Sequence, residues 1–306
     1  MTEIVVAAAQ YAPVHLDLTA TLEKTKDIVA EAAGNGVQLL VFPESFLPGY
    51  PDWVWRTPAW GQHFTASYAR LLDNAVVAPG PATEVLSELA QEHGLHLAMG
   101  VTERHGSTLY NTLLLFGPDG SLLNHHRKLM PTGGERTVWG YGDGSGLTVQ
   151  DTAVGRVGGL LCWENYMPLA RAAIYAQDVQ VYVAPTWDTS DVWVPTLQHI
   201  AKEGSTFVIG CCQAIHSRDL PDDTPGKADL YGDEWLARGL STIVAPGGRI
   251  LAGPLEEKEG LVTATIDLSR CAVQRGIFDP TGHYSRPDVL KLAVDGSRHE
   301  PVVRTE

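Results

Sequence analysis

A cysteine placed where a buried strand turns into a helix can serve as a nucleophile, and Cys162 occupies such a place. Gly158-Gly159-Leu160-Leu161 leads into it, and the helix-forming run Pro168–Ala176 leads out. Proline suits a first helical turn, where no backbone N–H partner is needed. Free N–H groups and the positive end of a helix dipole at such a turn favour the thiolate. By itself the residue reads more readily as a small buried hydrophobe, the commoner use of a free cysteine. Three charged residues elsewhere change that reading. Glu44 follows the apolar run Val37–Phe42, at the carboxyl end of a strand, where open α/β sheets meet their ligands. Lys128 closes the strand-like run that starts at His125, and Glu135 follows the turn Gly133-Gly134. Singly they are a rim carboxylate, an edge lysine and a loop residue. Jointly they are a machine. A desolvated carboxylate can take the thiol proton. Attack on an uncharged carbon–nitrogen centre builds negative charge on the heteroatom, which an ammonium and a backbone N–H can hold. A second carboxylate keeps the ammonium charged and aimed.

The elements that must hold these residues alternate between strand and helix. Ile4–Gln10 reads as a strand, Asp17–Ala33 as a helix ended by Gly34, and Val37–Phe42 as a buried strand. A second helix, Pro81–His93, stops at Gly94 and is followed by a strand at His96–Glu103. After Cys162 the pattern resumes with a strand at Val179–Ala184, a helix near Pro195–Lys202 and a strand at Thr206–Cys212. This alternation marks an α/β fold whose strands are covered by helices. Two stretches, Thr112–Leu123 and Thr242–Leu251, set Pro and Gly turn chemistry between apolar arms and read as hairpins, one in each half. They point to pseudo-symmetric halves with mixed sheets. Pro48–Trp60 and His216–Glu234 read as irregular, and the turn-rich Asp279–Glu306 as a docking tail. Three tryptophans at 53, 55 and 60 would be a costly patch on a solvated loop, so they belong at a pocket mouth or a subunit interface.

Composition narrows the classes. A chain of 306 residues can bury a sizeable core, and 44% apolar with 19% charged residues is ordinary for a globular protein. The formal net charge of −14 argues against nucleic-acid binding, which needs a basic face. Cys162, Cys211, Cys212 and Cys271 offer no zinc-pair spacing and no good disulfide. The N-terminal residues lack the basic start of a signal peptide, and no apolar run reaches membrane-spanning length. The expected location is a reducing cytoplasm.

The ordered motifs carry a resemblance. Phe42-Pro43-Glu44, His126-Arg127-Lys128-Leu129-Met130-Pro131-Thr132 and Cys162-Trp163-Glu164-Asn165-Tyr166-Met167-Pro168-Leu169 are similar to the glutamate, lysine and cysteine motifs of the nitrilase superfamily. Glu135-Arg136, with Trp139-Gly140 and Gly142-Asp143-Gly144, resembles the stretch holding that family's second glutamate. Asp279–Val289 resembles a segment of the nitrilase branch more than of the amidase branches. The likeness runs from about Ile4 to Leu290, giving one catalytic domain at 1–290 and a short tail at 291–306. It implies a four-layer α-β-β-α sandwich and a nitrilase that forms a thioimidate and then a thioester on Cys162. Lys128 and the Trp163 N–H would stabilise charge on nitrogen, Glu44 would move protons, and Glu135 would position Lys128. The resemblance implies no cofactor or metal, a small nitrile as substrate, and a homodimer or higher homo-oligomer. The short C-terminal tail argues against large spiral assemblies.

Tyr50, Trp53, Trp163, Thr186 and Trp187 are the candidate pocket residues, and their aromatic character suits an apolar aryl or arylalkyl nitrile. Gly133-Gly134 predicts extra room or mobility beside the lysine loop. Rival readings are an amidase or carbamoylase with the same tetrad, a cyanide-hydrolysing relative, and a Cys–His hydrolase using His126, His199 or His216. A catalytically silent binding module and a metal site at His93, His96, His125 and His126 are further alternatives. Strand histidines of that kind are usually half-buried polar residues.

Overall fold

The first run of small apolar residues, β1 (Glu3–Gln10), lies inside a six-stranded sheet. The computed structural model describes residues 3–299. In its first half the chain continues through α1 (Leu18–Gly34), β2 (Leu39–Val41), α2 (Gln62–Asn74), α3 (Pro81–His93), β3 (His96–His105), β4 (Thr108–Phe116) and β5 (Leu122–Arg127). The second half forms β6 (Gln150–Thr152), β7 (Gly155–Gly159), α4 (Pro168–Tyr175), β8 (Val181–Thr186), α5 (Trp193–Gly204) and β9 (Phe207–Cys212). It ends with β10 (Ala214–His216), α6 (Lys227–Leu230), β11 (Trp235–Val244), β12 (Ile250–Glu256), β13 (Gly260–Asp267) and α7 (Ser269–Ile277).

Local chemistry sets most boundaries. Asp17 caps α1 by accepting from the Ala20 N–H, and α3 starts on Pro81 and stops on Gly94 at φ 62°. β2 is shorter than its apolar run suggests. The Val37 N–H donates to Ala32 O in the turn that closes α1, so the first hydrogen bond to β1 is the one from the Gln38 N–H to Val5 O and the paired register starts at Leu39. α5 starts at Trp193, two residues before Pro195, which sits in its first turn without breaking it. α2 has no counterpart in the sequence reading, because its buried face, Phe64, Ser67 and Leu71, carries only two large apolar residues.

The two sheets share a plan. In the first, β1, β2 and β3 are parallel and continue into the antiparallel β4 and β5, with β13 antiparallel against β1. In the second, β7, β8 and β9 are parallel and continue into antiparallel β11 and β12, with β6 beside β7. The two hairpins expected from the sequence are the β4–β5 and β11–β12 turns. Ile4, Val6, Val41 and Leu115 from one sheet pack directly on Val157, Val183, Ile209 and Ile243 from the other. Ile28, Val29 and Leu86 of α1 and α3 cover the outer face of the first sheet, and Ile174, Leu197 and Ile200 of α4 and α5 cover the second. The result is the expected four-layer α-β-β-α sandwich. From residue 279 to 299 the chain has no helix or strand, and its last described residue, His299, donates its N–H to Asp143 Oδ2 at 2.8 Å. The remainder of the expected tail, 300–306, lies outside the described residues.

The strand leading to Cys162 depends on close backbone approach. Gly159 faces Val183 in register, and a Cβ there would stand 1.9 Å from the Val183 carbonyl oxygen. Gly159→Ala should therefore pry β7 from β8 and cost about 2 kcal/mol or more, as overpacking does. A urea unfolding midpoint unchanged from wild type would contradict this.

Candidate active site

Loops at strand ends bring the charged residues together. Glu44 follows β2, and its backbone passes β3 at a position where only glycine fits. A Cβ on Gly100 would lie 2.1 Å from Pro43 O. Lys128 comes directly after β5 and donates its N–H to Asn111 O at 2.7 Å. The side chains of Glu44, Lys128 and Glu135 are all buried. Lys128 Nζ donates to Glu44 Oε1 at 2.7 Å and to Glu135 Oε2 at 2.8 Å. Glu135 Oε2 also accepts the Thr132 N–H at 2.7 Å, and its Oε1 accepts the Tyr50 hydroxyl at 2.6 Å. Asn111 Nδ2 donates to Glu44 Oε1 at 2.7 Å, while Glu44 Oε2 has no hydrogen-bond partner among the described residues. Asn111 escaped the sequence reading, although a carboxamide inside the apolar run of β4 was a usable signal.

Two buried carboxylates share one buried ammonium. Burial raises the Glu44 carboxyl above the ordinary carboxylate range, and the Glu135 charge adds to it against the pull of Lys128. Burial alone would discharge Lys128, but Glu44 and Glu135 outweigh it and hold the ammonium well above its usual value. One partner of the pair is thus a poised proton acceptor, and the other is a fixed positive charge.

Cys162 opens a tight helical turn, Cys162–Tyr166, at φ 50°, a conformation that a side-chain-bearing residue adopts only under constraint. Glu164 supplies much of that constraint. Its carboxylate accepts the Leu161 N–H at 2.8 Å and the Leu129 N–H at 2.6 Å, and it is hydrogen-bonded to His126 Nε2 at 3.1 Å. This one buried carboxylate ties the cysteine turn to the lysine segment. Asn165 completes the turn, donating to the carbonyls of Leu160 and Cys162 at 3.1 and 2.8 Å. Glu164 was visible in the cysteine motif but carries no sequence mark separating a tie from a surface acid.

The sequence expectation of a thiolate-favouring turn is corrected here. Burial pushes the Cys162 thiol well up and the Glu44 charge pushes it further, while Lys128 and the Thr186 hydroxyl pull it down. A turn of five residues offers too little dipole to offset burial among carboxylates. Cys162 rests as a thiol and needs a base. None of His126, His199 or His216 is hydrogen-bonded to it among the described residues. His126 is fully buried rather than half-buried and is held by Glu164, His199 lies near Glu203, and His216 accepts the Arg218 N–H.

Cys162 and Glu135 open onto one cavity of about 660 Å³. Tyr50, Trp55, Met130, Trp163, Trp187 and Leu236 supply most of its apolar wall. Tyr50 and Trp187 stack at 4.3 Å with an interplanar angle of 6°, and Trp163 Nε1 donates to Asp188 Oδ2 at 2.9 Å. Of the pocket candidates, Tyr50, Trp163 and Trp187 stand on this wall. Trp53 does not: it is core, edge-on to His15, and Trp55 takes the wall position two residues later. Thr186 is buried at the end of β8, beside the sulfur rather than on the cavity wall. The glycine pair does not leave the room expected beside the lysine loop. The Trp55 indole fills that space, at 3.0 Å from where a Cβ on Gly133 would lie.

A carbon-nitrogen hydrolase family model matches residues 5–275. The chain is 45% identical to an aliphatic nitrilase of Sinorhizobium fredii (strain HH103), covering 99% of both chains. It is 44% identical to Nitrilase 2 of Arabidopsis thaliana over 96% of this chain and 89% of that one. Among solved structures, Saccharomyces cerevisiae Nit3, a member of branch 10 of the nitrilase superfamily, matches with a TM-score of 0.71 at 21% identity, covering 92% of this chain and 96% of that one. At that identity the structural match speaks for the fold.

Glu44→Gln removes the base and one negative charge beside the sulfur. Turnover should fall by about 10²–10⁴. The Cys162 thiol should instead ionise at lower pH, since a carboxylate that raises it has gone. Iodoacetamide labelling of Cys162, followed by intact mass over a pH series, checks the sign; ionisation at higher pH in the variant would refute it. In the wild type the acid limb of kcat/KM should lie above the ordinary carboxylate range, because Glu44 must be deprotonated to act.

Proposed function

This chain belongs to the carbon-nitrogen hydrolase family, and from that premise we propose that it is a nitrilase, converting an organic nitrile and two waters into a carboxylic acid and ammonia. The observation that carries the chemistry is one lysine ammonium clamped between Glu44 and Glu135, with Glu135 and Cys162 opening onto the same cavity. The choice of nitrile over amide rests on the identity of 45% and 44%, over nearly the whole chain, to relatives named as nitrilases.

The reaction follows from the geometry. Glu44 takes the Cys162 proton, and sulfur attacks the nitrile carbon. One C–N π pair moves onto nitrogen, next to Lys128 and the Trp163 N–H, which lies in the first turn opened by Cys162 and so has no acceptor within it. Nitrogen takes the proton back from Glu44, and the product is a thioimidate. Glu44 then deprotonates a water that adds to the same carbon, and returns the proton to nitrogen. Glu44 next carries the hydroxyl proton of the tetrahedral species to nitrogen, and collapse expels ammonia and leaves a thioester. A second water, activated in the same way, releases the acid and restores the thiol. Glu135 holds Lys128 through Oε2 and Tyr50 through Oε1. The aromatic wall supports a substrate with an apolar body. The four cysteines, all free and buried, support a reducing cytoplasmic setting. A homodimer or larger homo-oligomer belongs to the same reading, supported by exposed apolar side chains at Leu169 and Val192.

Incubation with phenylacetonitrile, a dinitrile, cyanide and the matching amides, read as ammonia and acid, tests the activity. Nitrile turnover with a Cys162-bound adduct by intact mass is expected, and Cys162→Ala should abolish both. Amide turnover without nitrile turnover would overturn the branch, and retention of activity by Glu44→Gln would overturn the mechanism. Light scattering should give a mass of at least two chains; a monomer at micromolar concentration would refute the assembly.

A further inference from the structure

The glycine pair before Glu135 and the half-exposed tryptophan above it are one device. Gly133 has φ 47°, and a Cβ built on it would lie 3.0 and 3.1 Å from two indole carbons of Trp55, with nothing else within 4 Å. At Gly134 a Cβ would lie 2.8 Å from Val54 O and 3.4 Å from the same ring. The indole thus lies directly on backbone that only glycine leaves bare. Trp55 is 49% exposed, yet it is not loose. It ends the tight turn Asp52–Trp55, and the next residue, Arg56, is ion-paired to Asp52 and to Glu234 and lies over the Tyr231 ring at 4.8 Å. Its Nε1 donates to Tyr50 Oη at 3.3 Å, and that hydroxyl donates in turn to Glu135. The ring is therefore clamped at its base, seated on its face and tied at its edge, while lining the cavity that holds Cys162.

Resting on the nitrilase reading, we propose that Trp55, seated on Gly133-Gly134, is the residue that sets the width of nitrile this enzyme accepts. A rigid indole at that place excludes wide or α-branched substrates and gives narrow, flat ones a face to pack on. Substituting the ring changes the ratio of wide to narrow substrates. A residue with a structural role alone would lower both together. The seat makes the effect specific to the pair: a methyl at Gly133 can reach nothing but the indole, so its influence on selectivity must vanish once the indole is gone. The backbone strain of alanine at positive φ remains in both backgrounds and cancels in the comparison.

The test is kcat/KM for the wild type, W55A, W55F, G133A and the double variant G133A/W55A, each on a narrow nitrile such as butyronitrile and a wide one such as diphenylacetonitrile. W55A should raise the wide-to-narrow ratio by about tenfold, the scale at which hydrophobic pocket contacts discriminate, while W55F keeps the wild-type ratio. G133A should move the ratio by about threefold with Trp55 present and leave it unchanged in the W55A background, the signature of coupled neighbours. A ratio unmoved by W55A, or shifted equally by G133A in both backgrounds, overturns the inference. If the wild type hydrolyses amides but not nitriles, the nitrilase reading fails on its own. The same ratio, taken on butyramide and diphenylacetamide, then decides whether Trp55 sets the width.

Discussion

A lysine ammonium without access to water stays charged only when carboxylates surround it, and nearly everything around Lys128 serves that condition. Unpaired, the ammonium would be costly to bury; paired with only one carboxylate it would be a buried salt bridge of little net worth. With two carboxylates at hydrogen-bond distance the ammonium is held, while burial lifts Glu44 and the Glu135 charge adds to that rise against the pull of Lys128. The burial that makes Glu44 basic is the same burial that makes Lys128 depend on both carboxylates for its charge.

The cluster imposes demands on the backbone. Glu44 and Lys128 come from the ends of strands in one sheet, and Cys162 from the end of a strand in the other, so the two sheets must stay in register to within a fraction of an ångström. Glycines at 100 and 159 let backbone pass backbone where side chains would collide. The Glu164 carboxylate, accepting from both Leu129 and Leu161, then joins the sheets across the site itself. A hydrogen-bonded anion buried in this way costs little, because each of its oxygens has an N–H partner. The strained φ of Cys162 persists because this tie and Asn165 hold both sides of the turn.

Polar precision at the base of the cavity contrasts with an apolar wall above it. Tyr50 belongs to both. Its ring stacks on Trp187, and its hydroxyl reaches Glu135, so the packing of the wall and the aim of the lysine are mechanically linked.

The sequence alone determined the alternation of strands and helices, the two hairpins, and the four residues at strand ends and turns that could act on a carbon–nitrogen bond. These are local signals: period, turn chemistry and motif spacing act within a dozen residues. The tertiary structure decided what depends on distance between segments. It moved Trp53 into the core and Trp55 onto the wall, although both lie on one short turn and differ only in which way the backbone points them. It turned an expected space beside Gly133 into the seat of an indole contributed from 78 positions earlier in the chain. It brought Asn111 and Glu164 into the site and made Cys162 a thiol. Burial and charge proximity fix a pKa, and no spacing along the chain encodes either. Chemistry that follows from residue type was legible; chemistry that follows from desolvation and from which side chain fills which space had to wait for the fold.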